Sequence, residues 1–177
     1  MQRTNFEFKA RANDLLSLEN KLQTLSPKLI GEDHQVDTYF NVEKGRLKLR
    51  EGNIENSLIY YERKNVTDSK QSDVLLYPFQ PDHSLKEILT KVHGIKTIVD
   101  KRRKIYFIKN VKFHFDKVEG LGTFVEVEAI DSDNLGIEKL KKQCKYYAHF
   151  FGIKDGDYES QSYSDLILKT STSNGLQ

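Results

Sequence analysis

The chain has 177 residues, 37% of them hydrophobic and 31% charged, with a net charge of +2 and one cysteine, Cys144. That length fits one domain with a sizeable core. The composition excludes an internal disulfide, a cysteine-based zinc cluster and a helical membrane span, and so small a net charge gives no footing for nucleic acid.

The opening "MQRTNFEFKA" has no apolar signal core, so a cytoplasmic protein is expected. The first element is a strand over 5–12, "NFEFKARA". Phe6, Phe8 and Ala10 alternate with Asn5, Glu7, Lys9 and Arg11, which gives one apolar and one ionic face. Asp14 then caps a helix in which Leu15, Leu18, Leu22 and Leu25 recur, ending before Pro27. Strands follow at 35–41, 46–52, 57–64 and 72–78, the first two joined by a Lys44-Gly45 turn. Ser84 and Glu87 make a capping-box pattern for a second helix carrying Leu85, Ile88, Leu89 and Val92 and stopped at Gly94. Strands at 96–109, 111–117 and 123–130 bring the set to about eight, and short turns such as Lys109-Asn110 predict antiparallel pairing. Ile137, Leu140, Cys144, Tyr147 and Phe151 form a third helical stripe, closed by Gly152. "SYSDLILK" (162–169) forms a fourth, short helix. The expected class is α+β, a closed or nearly closed antiparallel β-barrel with covering helices. A single domain spans 1–169, with a disordered tail over 170–177.

The strand faces carry the functional signal. "RLKLR" puts Arg46, Lys48 and Arg50 on one side, and "FVEVE" does the same with Glu126 and Glu128. "KRR" adds Lys101 and Arg103, "HFD" adds His114 and Asp116, and Tyr61 shares a face with Arg63. A solvated outer face would carry mixed charges held by cross-strand pairs. Here the signs are segregated by strand, and the apolar faces match the helices available to cover them. The ionic faces are therefore expected to point inward around a wet lumen. Lys9, Arg46, Lys48, Arg50, Arg63, Lys101 and Arg103 set seven cations against the four carboxylates of Glu7, Asp116, Glu126 and Glu128. A nucleoside triphosphate carries about −4, and one Mg²⁺ reduces that to about −2, close to neutralising such a site. Cations that grip phosphate, together with carboxylates that hold a hard metal, suit metal-assisted phosphate chemistry.

These residues resemble the CYTH superfamily, the class IV adenylyl cyclase and thiamine triphosphatase group, whose fold is a triphosphate tunnel. The family's opening E-x-E-x-K stands here as Asn5-Phe6-Glu7-Phe8-Lys9, and "DTYFNVEKGRLKLRE" (37–51) is similar to its next segment. "YYER" (60–63), "KRRKIYF" and "DKVEGLGTFVEVE" (116–128) resemble the later strands in order and spacing. "SYSDLIL" resembles the C-terminal helix of the class IV cyclase branch.

The resemblance implies that Glu7, Glu126 and Glu128 bind Mg²⁺ or Mn²⁺, and that Lys9 and Asp116 serve catalysis. It places Lys9, Lys48, Arg50, Arg63, Lys101 and Arg103 on the triphosphate, with Arg46 at the tunnel mouth. The implied reaction is that of a class IV adenylyl cyclase, ATP to cyclic AMP and pyrophosphate. The alternatives are hydrolysis of tripolyphosphate or an organic triphosphate, and non-catalytic binding of nucleotide or polyphosphate. The partner is a triphosphate-containing small molecule, and the resemblance also admits a homodimer. Asn5 departs from the pattern, because an amide offers a metal an oxygen but no charge.

Overall fold

The computed structural model describes residues 2–62, 70–80, 82–132 and 134–174. Eight strands run as β1 (Gln2–Arg11), β2 (Lys28–Phe40), β3 (Arg46–Glu51), β4 (Ser57–Glu62), β5 (Lys70–Pro78), β6 (Ile95–Ile108), β7 (Val111–Val118) and β8 (Gly122–Ile130). Four helices, α1 (Leu15–Gln23), α2 (His83–His93), α3 (Ile137–Phe151) and α4 (Tyr163–Asn174), interrupt or follow them. All strand pairs are antiparallel, in the order β1-β5-β4-β3-β2-β6-β7-β8, and β1 pairs with β5 on one side and β8 on the other. The expected barrel is thus a strongly curled eight-stranded sheet around a lumen that is open at one mouth. No helix among the described residues is long and apolar enough to cross a membrane.

Alternation along the strands decides which side is which. Phe6, Phe8, Phe113, Phe115, Val125 and Val127 point outward into a core closed by Leu22 of α1 and by Leu140, Cys144, Tyr147 and Phe151 of α3. The principal core therefore lies outside the sheet, under the helices, and the ionic faces are left to the lumen. Phe113 packs edge-on against Tyr147 at 4.7 Å between ring centres, and truncating Phe113 to alanine would cost about 3–5 kcal/mol.

Antiparallel neighbours give the tunnel two distinct rims. The ends of β3, β5, β6 and β8 share one rim with the starts of β1, β2, β4 and β7. At the other rim α4 packs Tyr163 and Leu166 against Tyr39, Val99, Val118 and Phe124, which closes that end. Ser162 opens α4, its hydroxyl accepting from Asp165 N at 3.1 Å while Asp165 accepts from Ser162 N at 3.3 Å. Arg46 fastens the same helix through Asp165 at 2.8 Å.

Several boundaries differ from expectation. The second strand begins at Lys28 because it follows β6 over nearly its whole length. Asp82 caps α2 by accepting from Ser84 N at 2.8 Å, so the helix starts two residues before the Ser84–Glu87 pattern placed it. α4 continues to Asn174, beyond residue 169, where the helix was expected to give way to the tail. Gly45, at φ 66°, closes the β2–β3 turn, where a Cβ would sit 2.8 Å from the Tyr60 ring.

Candidate active site

The lumen encloses a cavity of about 400 Å³. Its lining includes Glu7, Lys9, Lys48, Arg50, Lys101, Arg103, Glu126 and Glu128, eight of the residues singled out from sequence. Arg46 and Asp116 stand outside that lining. Arg46 is tied to α4, and Asp116 lies fully buried behind Arg103. Arg63 lies outside the described residues.

On the β2, β3 and β6 wall, three cations converge on one carboxylate. Asp37 accepts from Lys48 Nζ at 2.8 Å, from Arg50 Nε and Nη2 at 2.8 and 3.0 Å, and from Lys101 Nζ at 2.8 Å. Register explains the meeting, since Asp37 stands opposite Arg50 and Tyr39 opposite Lys48. Burial would raise the Asp37 carboxyl, but Arg50, Lys101 and Lys48 hold it well below the usual carboxylate range. Lys101, only 1% exposed, is lowered to about 7, first by burial and then by Arg50, Arg103 and Lys48, against the pull of Asp37. Asp37, even with Glu55 reaching Arg50 at 3.1 Å, does not neutralise these cations, and the wall is left positive.

The β1, β7 and β8 wall has the opposite balance. Arg103 grips Asp116 through Nε at 2.7 Å and Nη2 at 2.6 Å, and Nη2 also reaches Glu126 at 2.7 Å. Tyr163 of α4 donates to Asp116 Oδ2 at 2.7 Å. Both Asp116 oxygens are therefore engaged. Although burial alone would raise its carboxyl, Arg103 keeps it low, so it positions Arg103 and Tyr163 and is a poor proton acceptor. His114 lies 3.2 Å from Glu126, and burial, then Arg103 and Lys112, push it down to about 4, which leaves it neutral at pH 7. Lys9 donates to the Gln161 carbonyl and lies 4.3 Å from the centre of the Tyr163 ring. Glu128 accepts from the Asn5 amide. Burial raises Glu128 to about 7, with Glu7, Glu126 and Glu55 adding to the rise against Lys112.

Three contributors escaped the sequence reading. Asp37 was quoted only inside a motif, although it shares a strand face with Tyr39, which alternation could have revealed. Glu55 accepts from Arg50 at 3.1 Å, from Gln35 at 3.1 Å and from Lys112. Its loop is held by Asp33, which accepts from Ile54 N at 2.9 Å and Glu55 N at 3.0 Å. Gly52 is required there, because a Cβ would lie 2.7 Å from an Asp33 oxygen. Tyr163 was read only as part of a helix, and nothing in its local pattern announces that it enters the lumen.

The donors suited to a metal are all oxygens. Glu7 stands opposite Glu128 in register, and both line the cavity with Glu126. Asn5 Oδ1 is buried with no hydrogen-bond partner among the described residues. Burial first, and then Glu7, Glu126 and Glu55, raise Glu128 to about 7, a cost that a divalent cation would relieve. In chemistry this set fits a hard cation. Among the described residues, no three acidic, histidine or cysteine side chains are yet drawn together as a formed metal site.

A family model described as the CYTH domain matches residues 3–163. Adenylate cyclase CyaB of Aeromonas hydrophila is 24% identical over 97% of this chain and 93% of its own length. Among solved structures, the PH1012 protein of Pyrococcus horikoshii OT3 superposes with a TM-score of 0.81 at 28% identity, covering 92% of this chain and 98% of that one. HpAC1 of Hippeastrum, reported with a dominant triphosphatase activity, shares the fold at a TM-score of 0.62 and 15% identity, over 96% of each chain.

Proposed function

Since the chain belongs to the CYTH domain family, we propose that it is a metal-dependent enzyme acting on a triphosphate in the lumen. Its reaction in this reading converts ATP to cyclic AMP and pyrophosphate. The observation that carries the triphosphate is the Asp37 cluster, in which Lys48, Arg50 and Lys101 share a single buried carboxylate. Uncompensated buried charge is costly, and an anion entering between these strands relieves it. An adenylate cyclase 24% identical to this chain along nearly its whole length supports the cyclase over other triphosphate chemistries.

In cyclisation the ribose 3′-hydroxyl gives up its proton to water in the lumen, its oxygen bonds to the α-phosphorus, and the bond to the pyrophosphate oxygen breaks, the pyrophosphate leaving. Lys48, Arg50 and Lys101 bind phosphate oxygens, and Arg103, locked by Asp116, presents a fixed guanidinium to the charge that develops. Lys9 faces Glu126 in register and reaches the same space from β1. Lys101, lowered to about 7, is the lumen cation that exchanges a proton near neutrality. Glu7, Glu126 and Glu128 would hold Mg²⁺ or Mn²⁺, which supplies charge neutralisation for the phosphates.

Hydrolysis of tripolyphosphate or an organic triphosphate is the second reading. The Hippeastrum neighbour supports it, and the same cations would serve it. Incubating the purified protein with ATP, tripolyphosphate and thiamine triphosphate, each with Mg²⁺ or Mn²⁺, separates the two. Cyclic AMP with pyrophosphate marks the cyclase and orthophosphate marks the hydrolase. Binding without turnover would overturn both in favour of a non-catalytic tunnel.

A further inference from the structure

Glu126 stands at the centre of the acidic wall, opposite Lys9 on β1 and opposite His114 on β7. Its side chain lines the cavity and keeps 16% exposure, while that of His114 keeps 4%. Two donors meet the carboxylate, and both fall on the same oxygen. Arg103 Nη2 reaches Oε2 at 2.7 Å, and His114 Nδ1 reaches Oε2 at 3.2 Å. Among the described residues no hydrogen bond falls on Oε1. Arg103 is itself held in place by Asp116, through Nε at 2.7 Å and Nη2 at 2.6 Å. A carboxylate caught at one oxygen from two neighbouring strands has a fixed direction, and its other oxygen is left to the lumen.

The same contact fixes the imidazole. Glu126, paired with a guanidinium, is a carboxylate that can only accept, so the ring proton sits on Nδ1 of His114. Nε2 is then a bare lone pair, and it is buried with no partner among the described residues. A buried acceptor left unmet is destabilising. An apolar side chain would fill the same space without that loss, so what the imidazole adds is the donor at Nδ1. The two ring nitrogens also diverge. A cation held by Nε2 would lie on the far side of the ring from Glu126.

We propose that His114 is a positioning residue for the divalent cation: together with Arg103 it holds Glu126 Oε2, so that Oε1 is the oxygen presented to the metal. His114 acts through Glu126 and is not itself a ligand. A hydrogen bond behind a metal-binding group sets its orientation, and losing such a partner typically weakens metal binding about 10–100-fold. The assignment rests on the metal-dependent reading above and adds the residue that aims one of its ligands.

Calorimetric titration of Mn²⁺ into wild type, His114→Asn and His114→Leu tests it. The asparagine amide nitrogen stands where Nδ1 stands and keeps the donor, whereas leucine keeps only the volume. His114→Leu should bind Mn²⁺ about tenfold more weakly, and His114→Asn should stay within about threefold of wild type. Tripolyphosphate binding with a chelator present, within about threefold of wild type in both variants, is the control for an intact lumen. Two spectra complete the test. Pulsed electron paramagnetic resonance of the Mn²⁺-loaded wild type should show no nitrogen bound directly to the metal. Side-chain ¹⁵N resonances of the metal-free protein should place the His114 proton on Nδ1 and leave Nε2 bare. Equal Mn²⁺ affinity in His114→Leu and wild type, equal losses in the two variants, a manganese-bound nitrogen or a proton on Nε2 would each overturn the proposal. Should the leucine variant fail to fold, the asparagine variant and the two spectra decide. If wild type binds no Mn²⁺, with or without tripolyphosphate, the metal-dependent reading itself fails and takes this assignment with it, a result distinct from the others.

Discussion

The two walls of the lumen are equally ionic and opposite in balance. On the β2–β3–β6 wall, Asp37 answers Lys48, Arg50 and Lys101, helped only at Arg50 by Glu55, which Lys112 also claims. On the β1–β7–β8 wall, Glu7, Asp116, Glu126 and Glu128 outnumber Lys9, Arg103 and Lys112, and His114 is held neutral chiefly by burial. Burial first, and then like-charged neighbours, lower Lys101 to about 7 on the first wall and raise Glu128 to about 7 on the second. The first wall calls for an anion and the second for a cation, and a metal-bound triphosphate brings both.

The largest effect should come from breaking the first wall. Asp37→Asn removes the shared carboxylate and leaves three buried cations facing one another, a loss of about 3–5 kcal/mol of stability in urea unfolding. Tripolyphosphate should then restore more stability to the variant than it adds to wild type, because it supplies the missing charge. A variant that unfolds like wild type would show that solvent, not Asp37, balances the cluster.

Next comes a contrast between arginines. Arg50→Ala should weaken triphosphate binding by about 1.5–3 kcal/mol, because charge-assisted hydrogen bonds are lost. Arg103→Ala should also weaken binding and should destabilise the fold more, since the buried carboxylates of Asp116 and Glu126 both lose the guanidinium that pairs them. Calorimetry showing unchanged affinity for both variants would place the anion elsewhere.

Strand parity made much of this site legible. Glu7 with Lys9, Lys48 with Arg50, Lys101 with Arg103, and Glu126 with Glu128 are each two residues apart, and a two-residue period puts both on one face. What parity does not give is which strands become neighbours. The meeting of Asp37 with Lys101 depends on β2 pairing with β6 across more than sixty residues of chain. Glu55 reads as a solvated turn residue, and only the Asp33 cradle aims it inward. The role of α4 was equally hidden, because Tyr163 lies on a helix whose pattern predicts a cover, and its hydroxyl reaches Asp116 inside the sheet. Asp116 was expected in catalysis from its motif. Its complete burial behind Arg103 follows from packing that no local pattern carries.

The second wall is tested through Asn5, whose amide donates to Glu128. Asn5→Glu replaces that donor with a carboxylate beside an already crowded one. Without metal it should cost about 1–2 kcal/mol of stability, since a buried acceptor loses its hydrogen bond and gains a like charge. With Mn²⁺ the sign should reverse, because hard cations favour carboxylate over amide oxygen. Thermal melts of both proteins, with and without Mn²⁺, measure the crossing. If the variant is no more metal-responsive than wild type, this wall is not the cation's seat.

The smallest effect belongs to Lys101 and links the walls to pH. Its free-state value is lowered to about 7, first by burial and then by its cationic neighbours. Between about 7 and 10.5 the unfolded chain therefore binds more protons at this position than the folded one, so Lys101 makes stability rise with pH across that window. A bound triphosphate places negative charge beside the amine and raises its value again. Binding at pH 8 should accordingly take up a fraction of a proton, at most about one, and affinity should fall as pH rises above 7. Titrations in buffers of different ionisation enthalpy measure the uptake directly. Lys101→Arg, charged throughout this range, should lose most of it while still binding the anion, and the small remainder should come from Glu128. Uptake that is absent in wild type, or unchanged in Lys101→Arg, would mean that the anion does not approach the wall that Asp37 organises.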